Sequence, residues 1–172
     1  DVSIKNLGWI RYNWASNRDN LRILDEEIST WEARQYFNAG GSTIVDVTSV
    51  GLARDPQALA RISRATGLNI VMGAGNYVQM SHPTELQELS VEQVAGQMIH
   101  DVEQGVGDTG IRSGIIGEIG CSWPWHESEK KVLEAAVIAQ RETGAPLLIH
   151  PGRNQRAPID LLNAVEKWGG NL

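Results

Sequence analysis

Cysteine is nearly absent from this sequence: Cys121 is the single one among 172 residues. A lone cysteine excludes an internal disulfide framework and is typical of a reducing compartment, so we expect a cytoplasmic protein. No apolar run reaches the roughly 18 residues that a membrane-spanning helix needs, and no secretory signal opens the chain. We therefore expect no membrane partner.

Positive charge is also scarce: the sequence has 15 lysines and arginines but 21 aspartates and glutamates, which gives a net charge of −6. A chain of this sign repels phosphate backbones, and no local cluster of basic residues offsets the total. Nucleic acid is therefore not an expected partner. We expect a small-molecule substrate instead, and a homodimer stays open.

The remaining composition is that of a globular chain, with 41% hydrophobic and 21% charged residues. The length predicts a single domain over residues 1–172. Residues 1–24 lack a periodic pattern, and we predict an irregular segment that packs through Trp9, Tyr12 and Trp14. Residues 25–172 carry the regular pattern.

That pattern is an alternation of strands with helices. Helix N-caps and terminal glycines predict helices that follow Asp25, Asp55, Ser90, His126 and Ala157. The predicted strands are apolar and short, at 42–48, 68–73, 113–119 and 146–150. Two α/β folds share this order, an open doubly wound sheet and a (β/α)8 barrel. A complete barrel needs about 250 residues, so the chain could supply half of one.

Both folds place their chemistry at the carboxyl ends of the strands. Glu118 interrupts the apolar run 115–119 near the end of the third predicted strand. A buried carboxylate needs a cation, a metal ion or a proton, because its desolvation costs several kcal/mol. Glu118 is therefore either the partner of an arginine across the sheet, or a metal ligand or general base.

His150 ends the fourth predicted strand in the same way, and Arg153 follows it. A lone histidine at a strand end is more often structural than a ligand. A carboxylate and an imidazole at neighbouring strand ends, however, can converge on one cation such as zinc. Arg153 could hold an anionic group of a substrate, or pair with a carboxylate in its own loop.

Other candidate positions carry weaker signals. Gly73 and Gly75 suggest a dinucleotide-binding turn, but the third glycine and the following helix are missing, so close packing of loops is the better interpretation. His82 could line a substrate pocket or lie exposed in its loop. We predict His100 on a solvent face, His126 beside a helix start, and Cys121 as a packing residue.

Three segments closely resemble the phosphotriesterase-related protein family, a branch of the amidohydrolase superfamily of metal-dependent (β/α)8 barrels. They are GIIGEIGCSWP at 114–124, ESEKKVL at 127–133 and LIHPGR at 148–153. GAGNY at 73–77 and SVEQV at 90–94 are also similar to the family, and the likeness extends over about residues 25–168. It implies a partial (β/α)8 TIM barrel, made of roughly strands two to five with their helices.

The resemblance also implies a binuclear metal site with two divalent ions, zinc being the favoured metal. Glu118 would be the carboxylate that bridges the metals, and His150 would bind the second one. The family further requires a His-x-His pair, a histidine on strand six and an aspartate on strand eight, none of which this sequence supplies. We therefore expect a fragment of a larger barrel, inactive as an isolated chain.

For the intact barrel, the resemblance implies a hydrolase in which a metal-bridged hydroxide attacks an amide, ester, lactone or phosphoester. Tyr77, His82 and Arg153 would contact the substrate, and an arginine beside the site favours an acidic group on it. An N-acyl amino-acid or N-acyl taurine amide is the leading expectation. Two alternatives stay open: a non-catalytic barrel that binds a small molecule, and an unrelated open-sheet α/β domain that binds a phosphorylated ligand.

Overall fold

A computed structural model describes residues 2–13, 16–17 and 24–172 of the chain. The chain divides into two compact units by its internal contacts: Asp1–Ser42 with Arg61–Leu68, and Thr43–Ala60 with Asn69–Leu172. The prediction of a single domain remains a prediction.

Among the residues that the structure describes, two helices of the first unit precede the strands, α1 (Leu7–Tyr12) and α2 (Glu26–Asn38). Asp25 caps α2 by accepting hydrogen bonds from two backbone N–H groups of its first turn, as the sequence predicts. The helix α1 differs from the irregular segment that we predict for residues 1–24. Trp9 and Tyr12 are exposed rather than packed, and Trp14 lies outside the described residues.

Four parallel strands and the helices between them make up the repeats. The strands are β1 (Thr43–Asp46), β2 (Asn69–Ala74), β3 (Ile115–Cys121) and β4 (Leu147–Pro151), in the order β1-β2-β3-β4. The helices that follow each strand are α3 (Pro56–Thr66), α4 (Val91–Glu103), α5 (Glu127–Thr143) and α6 (Ala157–Lys167). This sequential parallel order is that of half a (β/α)8 barrel, which confirms the predicted fold class.

Local signals in the sequence set the helix bounds. Ser90 and Gln93 form a capping box at the start of α4, and His126 accepts a hydrogen bond from the backbone N–H of Ser128 at the start of α5. Gly144 ends α5 in the left-handed conformation, with φ of +71°. The long connection before α4 contains two 3-10 turns, Gln79–Ser81 and Thr84–Gln87.

The hydrophobic core of the second unit lies between the strands and their helices. It is formed mainly by β3, α4 and α5, and its fully buried members include Val94, Met98, Ile116, Ile119 and Leu133. Burial of this kind supplies most of the folding free energy, and truncating one such side chain to alanine costs about 2–5 kcal/mol.

The opposite face of the strands is not covered in the same way. On β4, Leu148 and His150 are exposed while Leu147 and Ile149 are half-buried, and Val45 on β1 is exposed. A doubly wound sheet of the flavodoxin-like class has the order 2-1-3-4-5 and helices on both faces. The alternative of an unrelated open-sheet domain is therefore wrong. Among the described residues, no helix is both long and apolar enough to cross a membrane.

Candidate functional site

Glu118 and His150 lie on the neighbouring strands β3 and β4, which pair in parallel with Gly120 opposite His150. Nδ1 of His150 donates a hydrogen bond to Oε1 of Glu118 over 2.8 Å. The side chain of Glu118 is 25% exposed and that of His150 is 47% exposed, so solvent reaches both. The sequence predicts these two groups at the ends of neighbouring strands, and the structure brings them together.

The chemistry of this pair fits a divalent cation. The arginine alternative for Glu118 is not observed, because no arginine among the described residues lies within 4.0 Å of its carboxylate. A carboxylate and an imidazole that converge on one point are ligands that zinc accepts. In the described part of the chain no group of three or more metal-ligating side chains occurs. The ligand role of Glu118 and His150 stays a prediction.

Tyr77 packs its ring edge against His150, with 5.3 Å between ring centroids and an interplanar angle of 83°. Burial raises the pKa of Tyr77 first, the negative charge of Glu118 raises it further, and the positive charge of Arg153 lowers it. Tyr77 is therefore a protonated phenol at neutral pH, and it lies close to both charged side chains.

Arg153 is exposed two residues beyond the end of β4. No carboxylate of the described residues lies within 4.0 Å of its guanidinium, so the pairing within its loop is not observed. Tyr77, Glu118, His150 and Arg153 together form what we call the strand-end cluster. The substrate contacts of Tyr77 and Arg153 stay predictions.

His82 is half-buried and bonded to the protein framework. Its Nε2 donates to the carbonyl of Tyr77 over 2.9 Å, and its Nδ1 lies 3.1 Å from the hydroxyl of Ser128. Burial lowers the pKa of His82, and this outweighs the opposite effects of the Tyr77 carbonyl and of Glu129. The structure therefore places His82 as a support of Tyr77; its predicted contact with substrate remains untested.

Glycines let the strands and turns of the site approach closely. A Cβ atom on Gly73 would lie 1.9 Å from the carbonyl oxygen of Gly117, and one on Gly75 would lie 2.7 Å from Ile119. These distances confirm the packing interpretation of Gly73 and Gly75. Gly117 has a φ of +129°, which side-chain-bearing residues rarely adopt, and its own Cβ would lie 2.3 Å from the carbonyl oxygen of Leu148.

The minor candidates behave as the sequence predicts. His100 is exposed on α4, His126 caps α5, and Cys121 is buried. Burial, together with the charge of Glu129, raises the pKa of the Cys121 thiol to about 12. A thiol with this pKa is not ionised at neutral pH, so Cys121 is a packing residue.

Glu129 is an important residue that the sequence reasoning missed. Its side chain is fully buried at the start of α5 and accepts hydrogen bonds from the backbone N–H groups of Gln79, Ser122 and His126 and from the hydroxyl of Ser122. Its position three residues after the helix cap is the one signal that could have indicated it, because a glutamate there forms a capping box.

A buried ion pair was missed as well. Arg54 binds Asp101 over 2.8 Å with their side chains 7% and 15% exposed, and it also donates to the carbonyl of Gly73 over 3.0 Å. The pair supports the carboxyl end of β2 from the side of α4. Neither residue interrupts an apolar run, so no local pattern distinguishes them from surface charges.

The sequence profile of the phosphotriesterase family matches residues 1–172. The chain is 42% identical to human N-acetyltaurine hydrolase over 172 residues, which cover 99% of this chain and 49% of that protein. It is 41% identical to the phosphotriesterase-related protein of Nematostella vectensis, over 100% of this chain and 50% of that protein. The chain thus spans about half the length of the curated relatives it matches.

A solved structure is similar in fold. The resiniferatoxin-binding protein of Rhodobacter sphaeroides superposes with a TM-score of 0.93 at 37% identity, over 99% of this chain and 48% of that one. The profile match and the identities confirm the family that the motifs around Glu118 and His150 resemble. The chain belongs to the phosphotriesterase family.

Proposed function

We propose that the whole protein is a metal-dependent hydrolase that cleaves the amide bond of an N-acyl taurine or a related N-acyl amino acid. The observation that carries this proposal is the 2.8 Å contact between His150 and Glu118 at adjacent strand ends. The similarity to human N-acetyltaurine hydrolase supports the substrate class.

In this proposal Glu118 and His150 hold divalent metal ions, with zinc the favoured metal. Bound divalent ions supply such hydrolases with Lewis-acid polarisation of the scissile carbonyl and with a lowered pKa of water. Glu118 contributes negative charge, and its hydrogen bond fixes the ring of His150. The ring of Tyr77 packs against that ring in a T-shaped arrangement and, as a protonated phenol, Tyr77 can donate a hydrogen bond to a substrate oxygen.

Arg153 would bind the anionic end of the substrate. A sulfonate or carboxylate accepts parallel hydrogen bonds from a guanidinium, and no carboxylate of the described chain lies within ion-pair distance of this one. We expect R153Q to raise KM for N-acetyltaurine about tenfold or more and to leave a neutral lactone's KM nearly unchanged. R156Q, at a nearby exposed arginine, is the matched control. An equal rise for both substrates would contradict the anion-binding role.

The metal-dependent reaction is tested with E118Q and H150N in the full-length protein. We expect each variant to lose bound metal and to lower kcat/KM by about 100-fold or more. H100N, at an exposed helical histidine, should match the wild type in both measurements. Turnover by E118Q within about threefold of the wild type would refute the metal-bridging role.

A second candidate function is small-molecule binding without catalysis, which the name of the Rhodobacter sphaeroides relative favours. Metal analysis of the full-length protein separates the two candidates. Less than about a tenth of an equivalent of zinc, manganese or a similar metal, with no turnover of amides, esters or lactones, would favour binding.

A further inference from the structure

Glu129 is an ionisable residue in the protein interior, where such side chains are seldom found without a partner of opposite charge. Its side chain is fully buried, and no lysine, arginine or histidine of the described residues pairs with its carboxylate as an ion pair. Four hydrogen bonds replace the lost water instead. Gln79 donates to Oε1 over 2.9 Å, and Ser122 donates to Oε2 twice, from its N–H over 2.8 Å and from its hydroxyl over 2.7 Å.

The fourth hydrogen bond comes from the N–H of His126 over 3.3 Å. Only a carboxylate can accept from all these donors, because an amide in its place would point N–H groups at N–H groups. The arrangement therefore specifies a negatively charged glutamate rather than any polar residue of its size.

The groups that Glu129 holds belong to the connections that follow β2 and β3. Gln79 lies two residues after Tyr77, and Ser122 directly follows the last residue of β3. Gly120, near the end of β3, also lies close to the backbone of Tyr77. A Cβ atom on Gly120 would lie 2.5 Å from the carbonyl carbon of Tyr77. Through its hydrogen bonds to Gln79 and Ser122, the Glu129 carboxylate thus connects the turn after Tyr77 with the end of β3, the strand that carries Glu118.

The first turn of α5 makes a second contact with the segment that carries Tyr77. Ser128 lies within 3.1 Å of His82, and His82 donates to the carbonyl of Tyr77. The first turn of α5 therefore holds the segment 77–82 at Gln79, through Glu129, and at His82, through Ser128. The ring of Tyr77, at the start of this segment, packs against His150.

We propose that Glu129 is a positioning residue that holds the Tyr77 ring against the imidazole of His150. The effect on catalysis rests on the function proposed above, whereas the placement of the ring does not. Glu129 acts through Gln79 and Ser122 and does not reach the substrate.

The placement is tested by NMR of the His150 imidazole in the full-length protein, with Y77L as the reference that lacks the aromatic ring. In E129Q we expect the His150 signals to move from the wild-type positions towards those of Y77L. S122A removes one of the four hydrogen bonds to Glu129 and should move the His150 signals in the same direction by a smaller amount. E127Q, at an exposed glutamate of the same helical turn, is the control and should leave them unchanged.

The kinetic test uses the same variants. E129Q should lower kcat/KM for N-acetyltaurine about tenfold in the wild-type background and less than about twofold in the Y77L background, because the ring it positions is then absent. E129D, which keeps the charge on a shorter side chain, should restore part of the activity.

Unchanged His150 signals in folded E129Q would overturn the proposal, as would equal losses of activity in both backgrounds. Should E129Q not fold, S122A decides the question alone, and His150 signals identical to the wild type would refute the proposal. Should the protein hydrolyse none of the substrates while the His150 signals shift as expected, the proposed function would fail and the positioning role would stand.

Discussion

Gly120 shows how much a single residue without a side chain contributes to the strand-end cluster. A Cβ atom there would lie 2.4 Å from the backbone nitrogen of Val78 and 2.5 Å from the carbonyl carbon of Tyr77. Backbone atoms cannot rotate away as a side chain can, so the turn that carries Tyr77 would have to move. We expect G120A to lower the free energy of unfolding by about 1–3 kcal/mol, measured by urea denaturation.

Gly96 provides the matched control for this substitution. It lies on the exposed face of α4 with nothing within 4 Å of its Cβ position. Since alanine favours a helix over glycine by about 1 kcal/mol, G96A should leave stability unchanged or raise it. Loss of stability by G96A equal to that of G120A would contradict the steric explanation.

His82 makes stability depend on pH. Because burial lowers its pKa below the ordinary value of 6.5, the unfolded chain binds a proton below that pH while the folded chain still excludes it. The free energy of unfolding therefore falls as the pH falls through 6.5. We expect this loss between about pH 7.5 and pH 5.5 to be smaller in H82Q than in the wild type, by urea denaturation at each pH.

The exposed His100 gives the comparison, and H100Q should keep the wild-type dependence on pH. A loss of stability in H82Q as steep as that of the wild type would refute the assignment to His82.

Some residues of the candidate site can be predicted from the sequence, and others cannot. Glu118 and His150 stand out because each follows a run of apolar residues, where a polar side chain needs a reason. Glu129 does not stand out, because acidic residues are common in the first turn of a helix. Its burial depends on Gln79, 50 positions away in the chain, and no local pattern contains that contact.

At the scale of helices and strands, the sequence predicts nearly all the repeats. The helix predicted to follow His126 extends from Glu127 to Thr143, since an acidic first turn and Gly144 mark its limits. The connection before α4, where the sequence places His82 in a loop, contains two 3-10 turns. The ammonium group of Lys131 on α5 donates to the carbonyls of Leu86 and Leu89 in this connection, and such tertiary contacts leave no local signal.

The Arg54–Asp101 pair joins the loop after β1 to α4 and, through Gly73, to β2. Removal of one partner from a buried pair leaves an uncompensated charge, so we expect R54M to lower the free energy of unfolding by about 3–5 kcal/mol. The double variant R54M/D101L should recover most of this loss, because it buries no charge. Urea denaturation measures both variants.

Arg61 and Glu26 form a comparable pair, 2.8 Å long, whose side chains are half-exposed. R61M should therefore lower stability by about 1 kcal/mol or less. If R54M lowered stability as little as R61M, or if the double variant recovered nothing, the energetic role of the buried pair would be refuted.

At the scale of this whole chain, which spans about half the length of its curated relatives, the two faces of the sheet are covered unequally. The helix side of β3 and β4 is packed with Ile116, Ile119 and the residues of α5, whereas Leu148 and His150 on the other side are exposed. The polar strand-end cluster lies on this less covered side. Under the function proposed above, this is the side from which a substrate would reach Glu118 and His150.

If Glu118 and His150 bind metal as proposed, the metal should stabilise the folded protein over the unfolded chain, because these two side chains come together only when β3 and β4 are paired. At a free zinc concentration about 1,000 times the dissociation constant, linkage predicts about 4 kcal/mol of stabilisation. We therefore expect EDTA to lower the Tm of the full-length protein in differential scanning calorimetry and added zinc to restore it. E118Q and H150N should show little of this response, and H100N should show all of it. A zinc response in E118Q as large as that of the wild type would place the metal elsewhere in the protein.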